Sequence, residues 1–270
     1  MKTDFNASEI RHFTLPNGLD CWLKEIHTVP MASVWIWYGV GARNEQPGKT
    51  GISHWVEHLQ FKGTQARSGA EMEDQINRIG GSWNAFTSHD WTTYYENLPS
   101  SAMKVALEIE ADRMRGTLFN PDEVETERTV IISEGEGAEN DPTFRLNEQV
   151  QSHTFTDHPY GREVIGSIED LRALTRDDLY QHYQDHYHPG NARLCIAGDF
   201  DQAEAWDMVH ALFGEILAAS TVTWQPKPEP GLPDKADLDV SGPGTIPFVQ
   251  VGFRAPEASH PDFFAFTILD

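Results

Sequence analysis

The sequence is poor in cysteine, in basic residues and in long apolar runs. Its 270 residues include two cysteines, Cys21 and Cys195, so a disulfide-rich scaffold is excluded, although one bridge is possible. Lysine and arginine total 20 against 42 aspartates and glutamates, a formal charge of −22. Nucleic-acid binding, which needs a basic surface, is therefore not expected. No stretch is apolar enough for a signal peptide or a membrane span. These shortages predict a soluble, cytoplasmic protein.

The apolar content is that of an ordinary globular protein. Apolar residues make up 39% of the chain and aromatic residues 11%, which favours neither a disordered nor a fibrous class. The acidic excess would attract a cationic ligand or peptide. A plain solvated acidic surface is the other interpretation of the same charge.

Helical and strand-like patterns are interleaved over residues 1–218. Asn17 and Gly18 separate two apolar-rich runs, as the turn of a hairpin does, and residues 82–98 predict a second hairpin. The run ASVWIWYGVG, residues 32–41, is nearly apolar throughout, which predicts a strand covered on both faces. Helices mixed with hairpins indicate an α+β fold, with a mixed, largely antiparallel sheet and helices packed on it.

The composition changes after residue 218. Residues 219–244 are rich in proline and glycine and predict a linker. Residues 245–256 then resemble a strand and residues 260–270 a helix. One strand and part of a helix cannot form a core of their own. We therefore expect residues 245–270 to be the start of a second, incomplete domain.

The pentapeptide HWVEH, residues 54–58, combines two histidines with a glutamate. Residues four apart on a helix lie on one face, so His54 and His58 can bind the same metal ion. Glu57 lies beside that face, where it can act as general base towards a water that zinc activates. H-x-x-E-H is the inverzincin signature, the reverse of the H-E-x-x-H motif of other zinc peptidases. An amphipathic helix that happens to carry two imidazoles has the same spacing.

Spacing alone does not decide between these interpretations. HYQDH, residues 182–186, repeats the spacing with His182 and His186. A catalytic zinc site also needs a third protein ligand. Glu127 and Glu134 lie seven residues apart, hence on one helical face, and either of them is a candidate.

Five separated segments resemble the pitrilysin-type zinc metallopeptidases, which include insulin-degrading enzyme and mitochondrial processing peptidase. In order they read GISHWVEHLQFKGT, GGSWNAFTSHDWTTYY, ERTVIISEGEGAENDP, HPYGREVIGSIEDL and YHPGNARLCIAGDF. The resemblance runs from about Leu15 into residues 260–266. Five segments in register are far more specific than one pentapeptide.

The resemblance implies one Zn²⁺ ion per chain, bound by His54, His58 and Glu134. It implies that Glu57 is the catalytic base. Glu127 would be the carboxylate that orients a ligand or the attacking water.

The resemblance also implies where the substrate binds. Asn84 and Ala85 match a strand on which an extended peptide pairs with the edge of the sheet. The second histidine pair, His182 and His186, falls where relatives carry structural residues. We expect these two histidines, and His188 after them, to pack or to lie on the surface.

The implied function is a zinc-dependent endopeptidase that hydrolyses internal bonds of peptides or unfolded segments. Members of the family usually consist of two similar halves that close like a clamshell, and residues 219–270 cover little of the second. We therefore expect a second half-domain or subunit, from the same chain type or another, as a partner. The alternative is a non-catalytic peptide-binding or assembly subunit, or a fragment that cuts only when the second half is added.

Overall fold

The computed structural model describes residues 10–141, 143–219, 237–242 and 246–269. The strands are β1 (Ile10–Thr14), β2 (Asp20–Glu25), β3 (Met31–Tyr38), β4 (Ser82–Thr87), β5 (Thr92–Pro99) and β6 (Ala192–Gly198). The helices are α1 (Ile52–Leu59), α2 (Gly69–Arg78), α3 (Met103–Gly116), α4 (Pro121–Ala138), α5 (Phe144–Thr154), α6 (Ile168–Ala173), α7 (Arg176–His186), α8 (Gln202–Phe213) and α9 (Phe263–Leu269). None of the described helices is long and apolar enough to cross a membrane.

The six strands form one mixed sheet in the order β1-β2-β6-β3-β5-β4. Only β2 and β6 pair in parallel, and the other four pairings are antiparallel. The predicted α+β fold with a largely antiparallel sheet is thus confirmed. Both predicted hairpins form, and Gly18 adopts a φ of +92° in the turn between β1 and β2. A side chain is strained at that φ, so glycine is the natural residue there.

Among the residues that the structure describes, the helices cover one face of the sheet and leave the other open. Along β3, Ala32, Val34, Ile36 and Tyr38 are buried beneath the helices, and the residues between them are half-buried or exposed. The prediction that this strand is covered on both faces is therefore wrong. The run is apolar on both sides of the strand because Trp35 and Trp37 alternate with the buried residues, but these two tryptophans lie on the open face. There Trp35 stacks on neighbouring rings of the same sheet instead of on a second layer.

Helix α1, which carries HWVEH, is buried along most of its length. Ile52, Trp55, Val56 and Leu59 are all buried, at the helical spacing that the sequence predicts. The helix packs against α4 and α7 and lies beside the edge strand β4. Its polar face is thereby turned towards α4 and the sheet edge.

The predicted linker and second domain are described only in part. Of residues 219–244, residues 220–236 and 243–245 lie outside the described residues, and 237–242 have no regular secondary structure. Residues 246–256 do not form the predicted strand, and none of the six described strands pairs with them. Instead Arg254 donates to the Thr154 carbonyl at the end of α5. The predicted helix that follows is present as α9.

Candidate metal centre

The two histidines of HWVEH face each other on α1. His54 Nε2 and His58 Nε2 lie 3.2 Å apart, and the two rings meet edge to face with centroids 4.6 Å apart. The start of α1 is held by Glu45, which accepts from the backbone N–H groups of Gly51 at 2.8 Å and Ser53 at 2.9 Å. A buried carboxylate thus caps the helix that presents both imidazoles.

Glu134 approaches the histidine pair from α4. Its carboxylate oxygens lie 4.0 Å from His54 Nε2 and 3.9 Å from His58 Nε2. Within the described ranges these three residues are the one group of three or more potential ligands whose donor atoms lie within 4.8 Å of each other. The side chain of Glu134 is 51% exposed, so the site opens to solvent on this side.

The donor set has the chemistry of a catalytic zinc site. Two imidazoles and one carboxylate leave a fourth position open, as in known zinc peptidases. Two nitrogens at zinc-bonding distance on a tetrahedral ion are about 3.3 Å apart, close to the observed separation of the two Nε2 atoms. His58 keeps its Nδ1 engaged with Glu127, which leaves the Nε2 lone pair for a metal. The residues present therefore fit zinc.

Glu127 lies behind His58 and is not in reach of His54. Its Oε2 is 3.0 Å from His58 Nδ1 and its Oε1 is 2.6 Å from Lys62 Nζ. Burial raises the pKa of Glu127, but the hydrogen bonds from Lys62 and His58 outweigh burial and hold the pKa below its ordinary value. The carboxylate is therefore ionised and fixes the orientation of the His58 ring, as residues behind a metal ligand commonly do.

Glu57 is buried beside the histidines and is held by the sheet. Its Oε2 accepts a hydrogen bond of 2.6 Å from the Thr87 hydroxyl at the end of β4. Burial raises the pKa of Glu57, the bond from Thr87 and the nearby His58 partly offset this, and Glu134 raises it further. Burial, together with the neighbouring His58, lowers the pKa of His54 to about 4. His54 is consequently neutral at pH 7, the form that binds a metal.

The two predicted substrate residues lie on β4, the edge strand next to α1. Asn84 is exposed on the open face, and its Oδ1 accepts from the backbone N–H of Ala85 at 2.9 Å. Ala85 is half-buried and packs against the core on the helix-covered face. The two residues alternate across the strand, so a chain paired with β4 would meet them on opposite faces. The same strand ends at Thr87, which contacts Glu57.

The second histidine pair lies at a packed interface. His182, His186 and His188 are all buried, and His182 Nε2 is 3.1 Å from the hydroxyl of Ser53 on α1. Asp185 accepts instead from Gln181 on its own helix. The prediction that these histidines have a packing role is confirmed.

The profile of the insulinase family, peptidase family M16, matches residues 22–167. The chain belongs to peptidase family M16. A second profile, described as the M16 inactive domain, matches residues 173–270. The pitrilysin-type resemblance of the sequence is thereby confirmed.

Relatives within family M16 carry zinc-protease names. An uncharacterized zinc protease of Streptomyces coelicolor is 32% identical over 226 residues, which is 84% of this chain and 49% of that protein. A probable mitochondrial-processing peptidase subunit beta of Arabidopsis thaliana is 31% identical over 82% of this chain and 41% of its own length. The crystal structure of a protease from Helicobacter pylori matches with a TM-score of 0.78 and 29% identity, over 82% of this chain and 54% of that one. The chain spans about half the length of the curated relatives it matches.

Three residues around the M16 motif were missed by the sequence analysis. Thr87 binds Glu57, Lys62 binds Glu127 and Glu45 caps α1. Lys62 stands four residues after His58, a spacing that could have drawn attention to it. Glu45 and Thr87 have no comparable signal, because their contacts depend on how loop and sheet fold back onto the helix.

Proposed function

We propose that the chain is the catalytic half of a zinc endopeptidase that cuts internal bonds of peptides or unfolded segments. The observation that carries the proposal is the convergence of His54, His58 and Glu134 with Glu57 alongside. Membership of family M16 and the zinc-protease names of the relatives support it. Zinc would be held by the two Nε2 atoms and the Glu134 carboxylate.

Glu57 supplies the proton transfer in this proposal. Bound zinc would lower the pKa of a water towards about 7 and polarise the substrate carbonyl. The bond from Thr87 occupies Glu57 Oε2, so Oε1 is the oxygen that takes the proton of the attacking water. Because its pKa is raised by burial, the same group can pass this proton on to the leaving amine.

The substrate lies as an added strand along β4. Main-chain hydrogen bonds to a sheet edge give affinity for any extended segment, and alternate side chains give specificity. The exposed position of Asn84 on this edge, three residues or about 10 Å from the Glu57 contact at Thr87, supports that arrangement. With a formal charge of −22, we expect basic peptides to associate faster.

A second half is part of the proposed enzyme. The chain covers about half of its relatives, so a further domain or subunit would enclose the substrate from the other side. The alternative function, a non-catalytic peptide-binding or assembly subunit, rests on the same half-length coverage.

Peptide hydrolysis by the zinc-loaded chain tests the proposal. We expect cleavage of an internally quenched extended peptide, loss of cleavage in Glu57→Gln with zinc retained, and full cleavage in Glu136→Gln, an exposed control on the same helix as Glu134. If neither the chain alone nor the chain with added second half cuts any peptide while zinc is bound, the non-catalytic alternative replaces the proposal.

The charge preference has its own test. At low salt, Lys/Arg-rich peptides should be cut faster than acidic ones of equal length, and the difference should shrink as salt is raised. Equal rates at low salt would remove the preference and leave the peptidase proposal intact.

A further inference from the structure

A cavity of about 450 Å³ lies on the open face of the sheet, at the end where β3 finishes and β6 begins. Its volume falls in the range of sites that hold small ligands or single side chains. Its lining includes Trp22, Trp37, Trp91, Arg43, Asp90 and Arg193. None of these residues belongs to the candidate metal centre.

The aromatic walls are fixed by their neighbours. Trp37 lies against Trp35 and Trp91, with centroids 5.6 and 5.8 Å away. The indole N–H of Trp22 donates to Asp20 at 3.2 Å. Trp22 and Trp91 are nonetheless 40% and 37% exposed. Large apolar rings held rigidly at the surface around a concavity are a mark of a binding site.

The charge of the lining differs from that of the chain as a whole. Arg43 pairs with Asp90 at 2.9 Å, and Asp90 also accepts from the Tyr160 hydroxyl at 2.6 Å. Arg193 is 71% exposed and contacts Asp20 through Nε at 3.7 Å. Each guanidinium thus faces a carboxylate, and the charges around the pocket balance although the whole chain carries −22. The three tryptophan rings therefore dominate the lining, and an aromatic side chain can pack against them. The exposed guanidinium of Arg193 can also lie over such a ring.

The cavity lies at the same end of the sheet as the proposed base. Thr92 on β5 is the cross-strand partner of both Thr87 on β4 and Tyr38 on β3. Thr87 contacts Glu57, and Tyr38 lines the cavity. Strand β3 is two strand spacings, about 10 Å, from the edge strand. Phe86 on β4 reaches towards the cavity and lies 6.1 Å from the Trp37 ring.

We propose that this cavity is a remote subsite that takes an aromatic side chain of the substrate peptide. A peptide that leaves β4 at its Thr87 end and crosses the open face covers the 10 to 15 Å to the cavity with about three to five extended residues. The inference rests on the proposed peptidase function and names one feature of its substrates. Substrates with Phe, Tyr or Trp at one such position are preferred over substrates with a small side chain there.

Peptides that differ at one position test the subsite. The probes are fluorescent peptides with Tyr, Ala or Lys placed three, four or five residues to either side of a common core. Their binding to the Glu57→Gln chain is measured by anisotropy, and their cleavage by the unaltered chain as kcat/KM. We expect one position at which the Tyr peptide binds about tenfold more tightly than the Ala peptide, and also more tightly than the Lys peptide.

Three variants assign the effect to the cavity. Trp91→Ala should remove the preference for Tyr, and Arg193→Gln, which removes the guanidinium without placing a second acidic group opposite Asp20, should weaken it. Tyr180→Ala, an equally exposed aromatic on α7, should leave the preference unchanged. Equal binding of Tyr and Ala peptides at every position, or a preference for Tyr that survives Trp91→Ala, overturns the subsite. Cleavage without any positional preference would contradict the subsite but agree with the proposed peptidase function. Positional binding without cleavage would support the subsite and contradict the peptidase function.

Discussion

In the proposed zinc site, Glu127 would act through a histidine rather than as a ligand. It fixes His58 Nδ1 and is held in turn by Lys62. Replacing Glu127 with Gln removes the charge that keeps the ring oriented, so we expect zinc affinity to fall by about 10- to 100-fold. Competition with a chelator of known affinity measures this. Glu125→Gln, an exposed change on the same helix, is the control, and equal affinities in all three chains would contradict the role.

The residues of the site were predictable to different degrees. The positions of His54, Glu57 and His58 relative to one another could be predicted, because all three lie within about one turn of the same helix. The choice between Glu127 and Glu134 needed the family resemblance, since both share a helical face. The structure separates them: Glu134 faces both Nε2 atoms, and Glu127 faces only His58 Nδ1.

At the scale of elements, the start of α1 depends on a carboxylate that titrates abnormally. Burial raises the pKa of Glu45 to about 7, from an ordinary value of 4.5, although the N–H groups of Ser53 and Gly51 oppose the rise. Between these two values the unfolded chain releases a proton that the folded chain keeps. Glu45 therefore lowers the free energy of unfolding as pH rises through this window, by at most about 1.4 kcal/mol per pH unit.

Urea unfolding across this pH window checks the contribution of Glu45. Glu45→Gln cannot titrate, so the free energy of unfolding of the variant should fall less steeply with rising pH than that of the unaltered chain. Other groups titrate in both chains and cancel in the difference. Parallel curves for the two chains would show that Glu45 does not titrate in this window.

The edge strand β4 is anchored by a buried arginine. Arg113 on α3 lies 2.5 Å from Glu110 and 3.5 Å from Glu96, and its guanidinium covers the ring of Trp83 on β4 at 4.7 Å. Burial raises the pKa of Glu96 well above its ordinary value, so Glu110 is the main ion-pair partner of Arg113. Arg113→Met leaves this buried pair without its cation, and we expect a loss of about 3–5 kcal/mol in stability. Denaturant unfolding measures this, with Arg78→Met on the surface of α2 as the control. A loss no larger than that of the control would show that the network contributes nothing.

Elements with local signals were predicted, and elements that depend on distant packing were not. The hairpins and α1 follow from turn residues and apolar spacing. Helix α5 buries none of its residues, so it offers no apolar pattern to detect. The open face of β3 and the absent strand at 246–256 are both decided by what lies alongside them, which a single segment cannot reveal.

At the scale of the whole molecule, the fold class is easier to predict from the sequence than the order of strands in the sheet. The α+β class follows from the mixture of elements. The insertion of β6 between β2 and β3 does not, because β6 lies more than 150 residues after both in the chain. The incomplete second domain and the cytoplasmic location stay predictions.

We propose above all that His54, His58 and Glu134 hold one zinc ion. Metal analysis after dialysis against metal-free buffer tests it most directly. We predict one zinc per chain in the unaltered protein, in Glu57→Gln and in the exposed control Glu136→Gln, and far less than one in Glu134→Ala. A zinc-free unaltered chain, or undiminished zinc in Glu134→Ala, would contradict the claim.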